Sequence, residues 1–403
     1  MPAPALLAWQ AQPFKAFYIT YILTTLITVR LPVWSIACLL PALRPRSSWS
    51  YSRALWVKLY SVFFKVIFNT GSCKFLRVDP KTFVQDAEKH GLVWIDATPD
   101  LVVGEIQEYA KRNGVAAAQV AGYWFGKRDE KTGLVGQRAG PDEKVMLQFH
   151  CGGWVLGDGS PKSIDARMCN DILIRFPQFS RLLSLEYRLS QGHTLPIENP
   201  FPAGLIDATA AYNYLVNDLG FKPSNILVMG DSAGGGLVIS LARYLKIAAF
   251  PSLPLPGGLF LMSPTADWST SHHGPGTSHD INSKSDWVQG FTAGYCGRAL
   301  IGHLPESEID TNAWISPSSL RLPKAEGWFE GFPSTLVHAG GAEMTLDQMR
   351  TLTDRMRGDM GEDKVTYVET PDGTHIMLSL PFHENEKDWT YVEVGNWIGS
   401  VFA

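Results

Sequence analysis

The sequence has few of the features that tie a chain to a metal, a nucleic acid or a secretory lumen. Its five cysteines, Cys38, Cys73, Cys151, Cys169 and Cys296, are odd in number, widely spaced and include no Cys-x-x-Cys pair, which suits neither a zinc site nor a disulfide framework. No Asn-x-Ser/Thr sequon occurs, so nothing marks the chain for glycosylation. No Lys/Arg run is present, and the formal net charge is -4 at pH 7, which gives no electrostatic footprint for a nucleic-acid partner. No metal and no organic cofactor is implied, and no internal repeat is detectable.

What is present is apolar and aromatic. The 403 residues are 45% hydrophobic, with 13 Trp, 13 Tyr and 20 Phe, enough to bury a large core. The first 50 residues stand apart. Ala16–Val29 carries no charge, and after Arg30 the apolar character resumes from Leu31 to Leu43. A bilayer span takes about 20 predominantly apolar residues, and no small-residue cleavage site of a secretory signal follows cleanly. Residues 1–50 are therefore expected to be a hydrophobic anchor; the competing reading is a pair of helices packed on the protein's own core. Arg44, Arg46, Arg53 and Lys58 follow the segment, against Lys15 before it, so the positive-inside tendency places the body on the cytosolic side. The expected address is a membrane, that of the endoplasmic reticulum.

Beyond residue 50, short apolar runs alternate with helical stretches. VMLQFH, RLLSLEYRL, NILVMG, GGLFLMS and STLVHAG are of strand length and too apolar for strands with one wet face, which suits a parallel sheet covered on both sides. Helical stretches such as PAGLIDATAAYNYLVNDLG lie between them. The α/β alternation implies a doubly wound, mostly parallel sheet, with residues 51–120 as helices leading into the core and 121–403 as the main domain. The stretch from Trp268 to about Leu304, rich in Ser, His, Gly and Asp, reads as an excursion over the site.

NILVMGDSAGGGLVISLARYL, residues 225–245, contains Gly230, Ser232 and Gly234 as G-x-S-x-G between an apolar strand and a helix. That is the setting of a nucleophile elbow, where a strained turn raises the serine hydroxyl above the sheet. A phosphate loop fails on spacing, since no Lys follows the glycines. A serine at neutral pH needs a base and an orienting acid, in the chain order Ser, Asp/Glu, His. His375, in the loop after KVTYVET, is the expected base. His193, His272, His273, His279 and His303 fall in apparent loops, where a solvated role is the default, and His338 sits within a strand-like run. Glu343, just past the STLVHAG strand, is the favoured acid, with Asp347 and Asp372 as alternatives.

The oxyanion of an acyl-transfer intermediate needs backbone N–H donors from a loop after an early strand. HCGGW, residues 150–154, is that loop. Gly152 and Gly153, with Ala233 after the nucleophile, are the expected hole. Cys151 reads as a small packed side chain rather than a nucleophile, and Trp154 and Asp231 as substrate contacts.

HCGGWVLG, YRLSQGHTLPIENPFPAGLIDATAAY, GDSAGGG, SPTADWS, GGAEMTLDQ and DGTHIML resemble, in that order, segments of the hormone-sensitive-lipase-like group of α/β-hydrolases. They are also similar to its fungal members with an N-terminal hydrophobic anchor, steryl acetyl hydrolases among them. The resemblance runs from about Pro99 to the C-terminus. It implies an α/β-hydrolase fold with about eight strands, a helical cap built partly from the N-terminal region, with the 51–120 helices forming part of it and 121–403 as the catalytic domain, and an acid at Glu343, where Asp is commoner. Departures are Cys151 in the oxyanion loop, Glu for Asp, and an insertion between Leu189 and Phe201.

The expected activity is hydrolysis of short- to medium-chain acyl esters through an acyl-enzyme on Ser232. The substrate partner is a hydrophobic ester, such as an acetyl ester of a sterol or other lipid alcohol. A transacylase or an amidase would use the same residues. A ligand-binding protein on the same fold is the rival outside enzymes, and His375 argues against it.

Overall fold

The computed structural model describes residues 9–192, 195–288 and 294–403; His193 lies outside them. Eight strands form one sheet: β1 Leu92–Ile95, β2 Val120–Gly126, β3 Lys144–Phe149, β4 Phe179–Glu186, β5 Ile226–Asp231, β6 Gly258–Met262, β7 Thr335–Gly340 and β8 Val365–Thr370. Their order is β1-β2-β4-β3-β5-β6-β7-β8. β1 and β2 run antiparallel at one edge, and β3 to β8 form a parallel block.

The apolar runs behave as a sheet buried on both faces requires. Along β3, Val145, Leu147 and Phe149 enter one core with the helices Ala203–Asn213 and Ala233–Ala248. Met146 enters a second core, on the opposite face, with the helices Ala166–Arg175 and Glu384–Val401. β5 alternates in the same way, Ile226 and Val228 against Leu227 and Met229. Successive strand side chains point to opposite faces, so continuous apolar sequence is needed when both faces are covered.

The sheet starts earlier than the expected domain limit at residue 121, because Leu92–Ile95 is already its edge strand. Four residues are too few to show a period, which hides β1 within a region that otherwise reads as helical.

Helix α1, Phe14–Ala37, is long and apolar enough to cross a membrane. It runs antiparallel along helix α2, Tyr51–Asn69: Lys15 Nζ donates to Thr70 O at 3.0 Å and Asn69 Nδ2 to the Tyr18 hydroxyl at 2.9 Å, while Lys58 lies over the Trp34 ring at 5.6 Å near the other end. Ser50 caps α2, its hydroxyl accepting the Arg53 N–H, as an N-cap serine does. The expected boundary at residue 50 falls inside a well-tied stretch. Trp49 is buried and donates from Nε1 to Asp372 O at 3.0 Å. Arg46 binds Asn282, Ser48 binds Asp372, and Arg53 forks onto Glu386 at 2.6 and 2.8 Å.

Candidate active site

Ser232 occupies the turn between β5 and the helix Ala233–Ala248 with φ 55° and ψ -118°, a backbone region that non-glycine residues rarely adopt. The flanking glycines make the turn possible. A Cβ at Gly230 would stand 2.4 Å from the Gly234 carbonyl carbon, and one at Gly234 would stand 2.0 Å from Phe149 O. The serine is thereby held above the carboxyl ends of the parallel strands, at a helix N-terminus whose dipole favours negative charge.

The three chain segments expected to cooperate meet there. Ser232 Oγ lies 2.8 Å from His375 Nε2, and His375 Nδ1 lies 2.7 Å from Glu343 Oε2. All three residues are buried. Glu343 also accepts from Ser263 Oγ at 2.7 Å, Thr345 Oγ1 at 3.0 Å and the Gly340 N–H at 2.6 Å. Burial works against its charge, but the His375, Ser263 and Gly340 hydrogen bonds hold its carboxyl below the ordinary range. Burial likewise disfavours the imidazolium of His375, yet Glu343, with the charge of Asp286 added, raises its pKa above the ordinary value. The other carboxylates considered for this role are engaged elsewhere: Asp347 accepts from the Ser278 N–H at 2.7 Å, and Asp372 faces Ser48 and Arg46.

Asp286 is a residue that the sequence did not reveal. It is buried, accepts the Met344 N–H at 2.8 Å and the Trp287 N–H at 2.7 Å, and so fixes the turn that presents Glu343. Its pKa is raised to about 6, chiefly by burial, with His375 lowering it and Glu343 raising it. The neighbouring Trp287 ring lies 5.6 Å from the His375 ring. The only trace in sequence is the dipeptide Asp-Trp in the Ser-rich excursion.

The loop after β3 supplies free donors. Gly152 and Gly153 have φ of 121° and 63°; a Cβ at Gly152 would stand 1.9 Å from Leu156 O. Among the described residues, no acceptor takes the N–H of Gly152, Gly153 or Ala233. The loop is held from below. The Cys151 N–H donates to Asp165 Oδ2 at 3.0 Å, His150 Nδ1 is 2.7 Å from Cys151 O, and the Tyr187 hydroxyl donates to His150 O at 2.8 Å. Burial first, then Asp165 and Asp231, push the Cys151 thiol well above its ordinary pKa, the opposite of what a thiolate nucleophile needs.

Two expected substrate contacts are corrected. Asp231 precedes Ser232 on the strand and so points to the opposite face; it is buried, with Gln148 Nε2 3.4 Å from its Oδ1. Trp154 is buried in the core, edge-on to Tyr187 at 5.8 Å and against Gly204. Neither lines the cavity at Ser232. Cys151, Asp165 and Asp231 place a thiol and two carboxylates within 4.8 Å of one another, the one such group among the described residues. Burial first, then the neighbouring Asp165, raise the Asp231 carboxyl well above the ordinary range.

The cavity at Ser232 and His375 has a volume of about 50 Å³, and Thr265, Val288 and Met344 contribute to its walls. His272, His273 and His279, expected to be solvated, line it as well. His272 binds Asp267 at 2.8 Å and Thr351 at 3.0 Å, and the rings of His273 and His279 stack at 3.7 Å. The Ser/Gly-rich sequence hides this, because residues 268–288 fold back over the site instead of extending into solvent. His338 is buried within β7, with Nε2 2.9 Å from Thr370 Oγ1.

An eight-stranded sheet with a strained serine after its fifth strand, a histidine after its eighth and a carboxylate after its seventh has the layout of an α/β-hydrolase. A family model described as the alpha/beta hydrolase fold matches residues 146–379. The chain is 29% identical over 235 residues to an acetyl-hydrolase of Streptomyces hygroscopicus, covering 58% of this chain and 68% of that one. It is 32% identical over 230 residues to the carboxylic ester hydrolase LipN of Mycobacterium tuberculosis, covering 53% and 52%. It is 24% identical over 256 residues to steryl acetyl hydrolase 1 of Saccharomyces cerevisiae, covering 62% and 58%. The matches thus span about half to two thirds of these relatives. Among solved structures, the hormone-sensitive-lipase homologue EstE7 superposes with a TM-score of 0.56 at 22% identity, over 87% of this chain and 99% of that one. The chain belongs to the α/β-hydrolase family; the relatives it resembles are named as an acetyl-hydrolase, a carboxylic ester hydrolase and a steryl acetyl hydrolase.

Proposed function

We propose that the protein is a serine esterase that removes acetyl or other short acyl groups from a hydrophobic alcohol, through an acyl-enzyme on Ser232. The observation that carries this reading is the continuous line from Ser232 Oγ through His375 to Glu343, at 2.8 and 2.7 Å, beside the amides of Gly152, Gly153 and Ala233, for which there is no acceptor among the described residues. His375 Nε2 takes the hydroxyl proton as Oγ attacks the ester carbonyl. The N–H groups of Gly152, Gly153 and Ala233 receive the oxyanion, and Glu343 stabilises the imidazolium and fixes its tautomer. The imidazolium then protonates the departing alcohol, and water activated by the same nitrogen cleaves the acyl group from Ser232. The cavity of about 50 Å³ favours a small acyl group, and relatives named acetyl-hydrolase and steryl acetyl hydrolase support the same choice.

In this reading α1 anchors the chain in a membrane, that of the endoplasmic reticulum, with the catalytic body on the cytosolic side. Initial rates on p-nitrophenyl esters from acetyl to palmitoyl, for the wild type and Ser232→Ala side by side, test the chemistry. The expected result is a maximum at the short esters and loss of turnover in the variant. Undiminished turnover by Ser232→Ala would refute the mechanism.

A further inference from the structure

Helices α1 and α2 do not close on one another along their middle. Between them runs a groove of about 550 Å³, within the roughly 300–1,000 Å³ span of small-molecule sites. Ile22, Leu23 and Leu26 of α1 and Leu59, Val62 and Phe63 of α2 contribute to its walls, and among the described residues no charged side chain lines it. Water is a poor occupant of such a space, since it would find almost no hydrogen-bond partners there.

Two observations say what does fit. The first is the medium the groove opens to. Phe17, Tyr21, Ile27, Val33 and Ile36 of α1 and Trp56 and Phe63 of α2 are exposed, an apolar surface that is costly in water and suited to hydrocarbon. The second is its distance from the chemistry. Tyr60 and Phe64, on the inner wall, contact the Trp287 ring with centroids 6.1 and 4.6 Å away, and the same ring lies 5.6 Å from His375. One indole separates the groove from the base.

We infer that this groove binds the hydrocarbon body of the ester's alcohol, taken directly from a membrane leaflet, while the small cavity at Ser232 holds the acyl group. The inference rests on the esterase reading and adds to it the place where the hydrophobic alcohol binds and the side from which it arrives. It also explains the division of volumes, about 550 Å³ for the alcohol against about 50 Å³ for the acyl group.

The test uses the full-length chain, as Ser232→Ala, in phosphatidylcholine vesicles containing the acetate ester of a long-chain alcohol with a mid-chain diazirine. After irradiation, adducts are mapped by mass spectrometry. The expected result is adducts on Leu26, Leu59, Val62 and Phe63 that are lost when either Val62→Trp or Leu26→Trp fills the groove. Adducts confined to the outward residues Phe17, Tyr21 and Ile27, or unchanged by both substitutions, would overturn the proposal; so would labelling at a contact between two copies of the chain. Turnover of p-nitrophenyl acetate by the wild type, an ester without a hydrocarbon tail, is measured in parallel. Its absence would defeat the esterase reading and leave the adduct map to judge the groove.

Discussion

At the scale of single residues, the proposed chemistry turns on which proton carrier sits where. Glu343→Gln keeps the shape of the side chain and removes the charge that orients and stabilises His375, so kcat is expected to fall by about 10³-fold in steady-state assays with little change in thermal unfolding. Cys151→Ala is expected to hold kcat/KM within about threefold of wild type, because a buried thiol with a raised pKa is inert. The pH profile follows from sign. His375 acts as base only when neutral, and its pKa is raised, so kcat/KM should fall on acidification through a value above the ordinary histidine range. Asp286 contributes to that elevation. Asp286→Asn should therefore move the acid limb to lower pH, and a limb that stays in place would remove Asp286 from the account.

Sequence showed some of this scale and concealed the rest. Gly230, Ser232, Gly234 and the Gly152–Gly153 pair are legible because their conformational demand is local: a strained turn accepts few residue types. Glu343 is favoured over Asp347 and Asp372 by its place just past a strand, but its contact with His375 depends on where three separate loops converge, which no local pattern shows. Asp231 and Trp154 mislead for the opposite reason. They are neighbours of functional residues in the chain, and the backbone directs neighbours to different faces.

At the scale of elements, β3 to β7 identify themselves by unbroken apolar character, which a parallel block covered on both faces requires, whereas β8, VTYVET, alternates buried and partly exposed positions. Nor does the antiparallel edge identify itself, because β1 offers only four residues and pairing direction has no local signature. The elbow between β5 and its helix is an element with no slack. Gly234→Ala would drive a methyl group into the Phe149 carbonyl. It is expected to cost more than about 3 kcal/mol of stability, read by denaturant unfolding, or to prevent accumulation of folded protein.

At the scale of the whole molecule, the N-terminal region is more than an appendage. Composition separates residues 1–50 from the rest, yet Trp49 and Arg46 reach the Asp372 and Gly341 loops beside His375 and Glu343. Those contacts join parts of the chain more than 290 residues apart, which no local pattern can show. Trp49→Ala is expected to lower stability by about 3–5 kcal/mol. It should also reduce esterase turnover by loosening the His375 loop. A thermal shift without loss of activity would separate the two roles.

The most direct measurement of the central claim is covalent labelling of the full-length chain with a fluorophosphonate, which reacts with a serine activated by a neighbouring base, followed by peptide mapping and a parallel ester assay. A single adduct on Ser232 is expected, with labelling and hydrolysis disappearing together in both Ser232→Ala and His375→Ala. An adduct at another residue, or ester turnover that survives complete modification of Ser232, would contradict it.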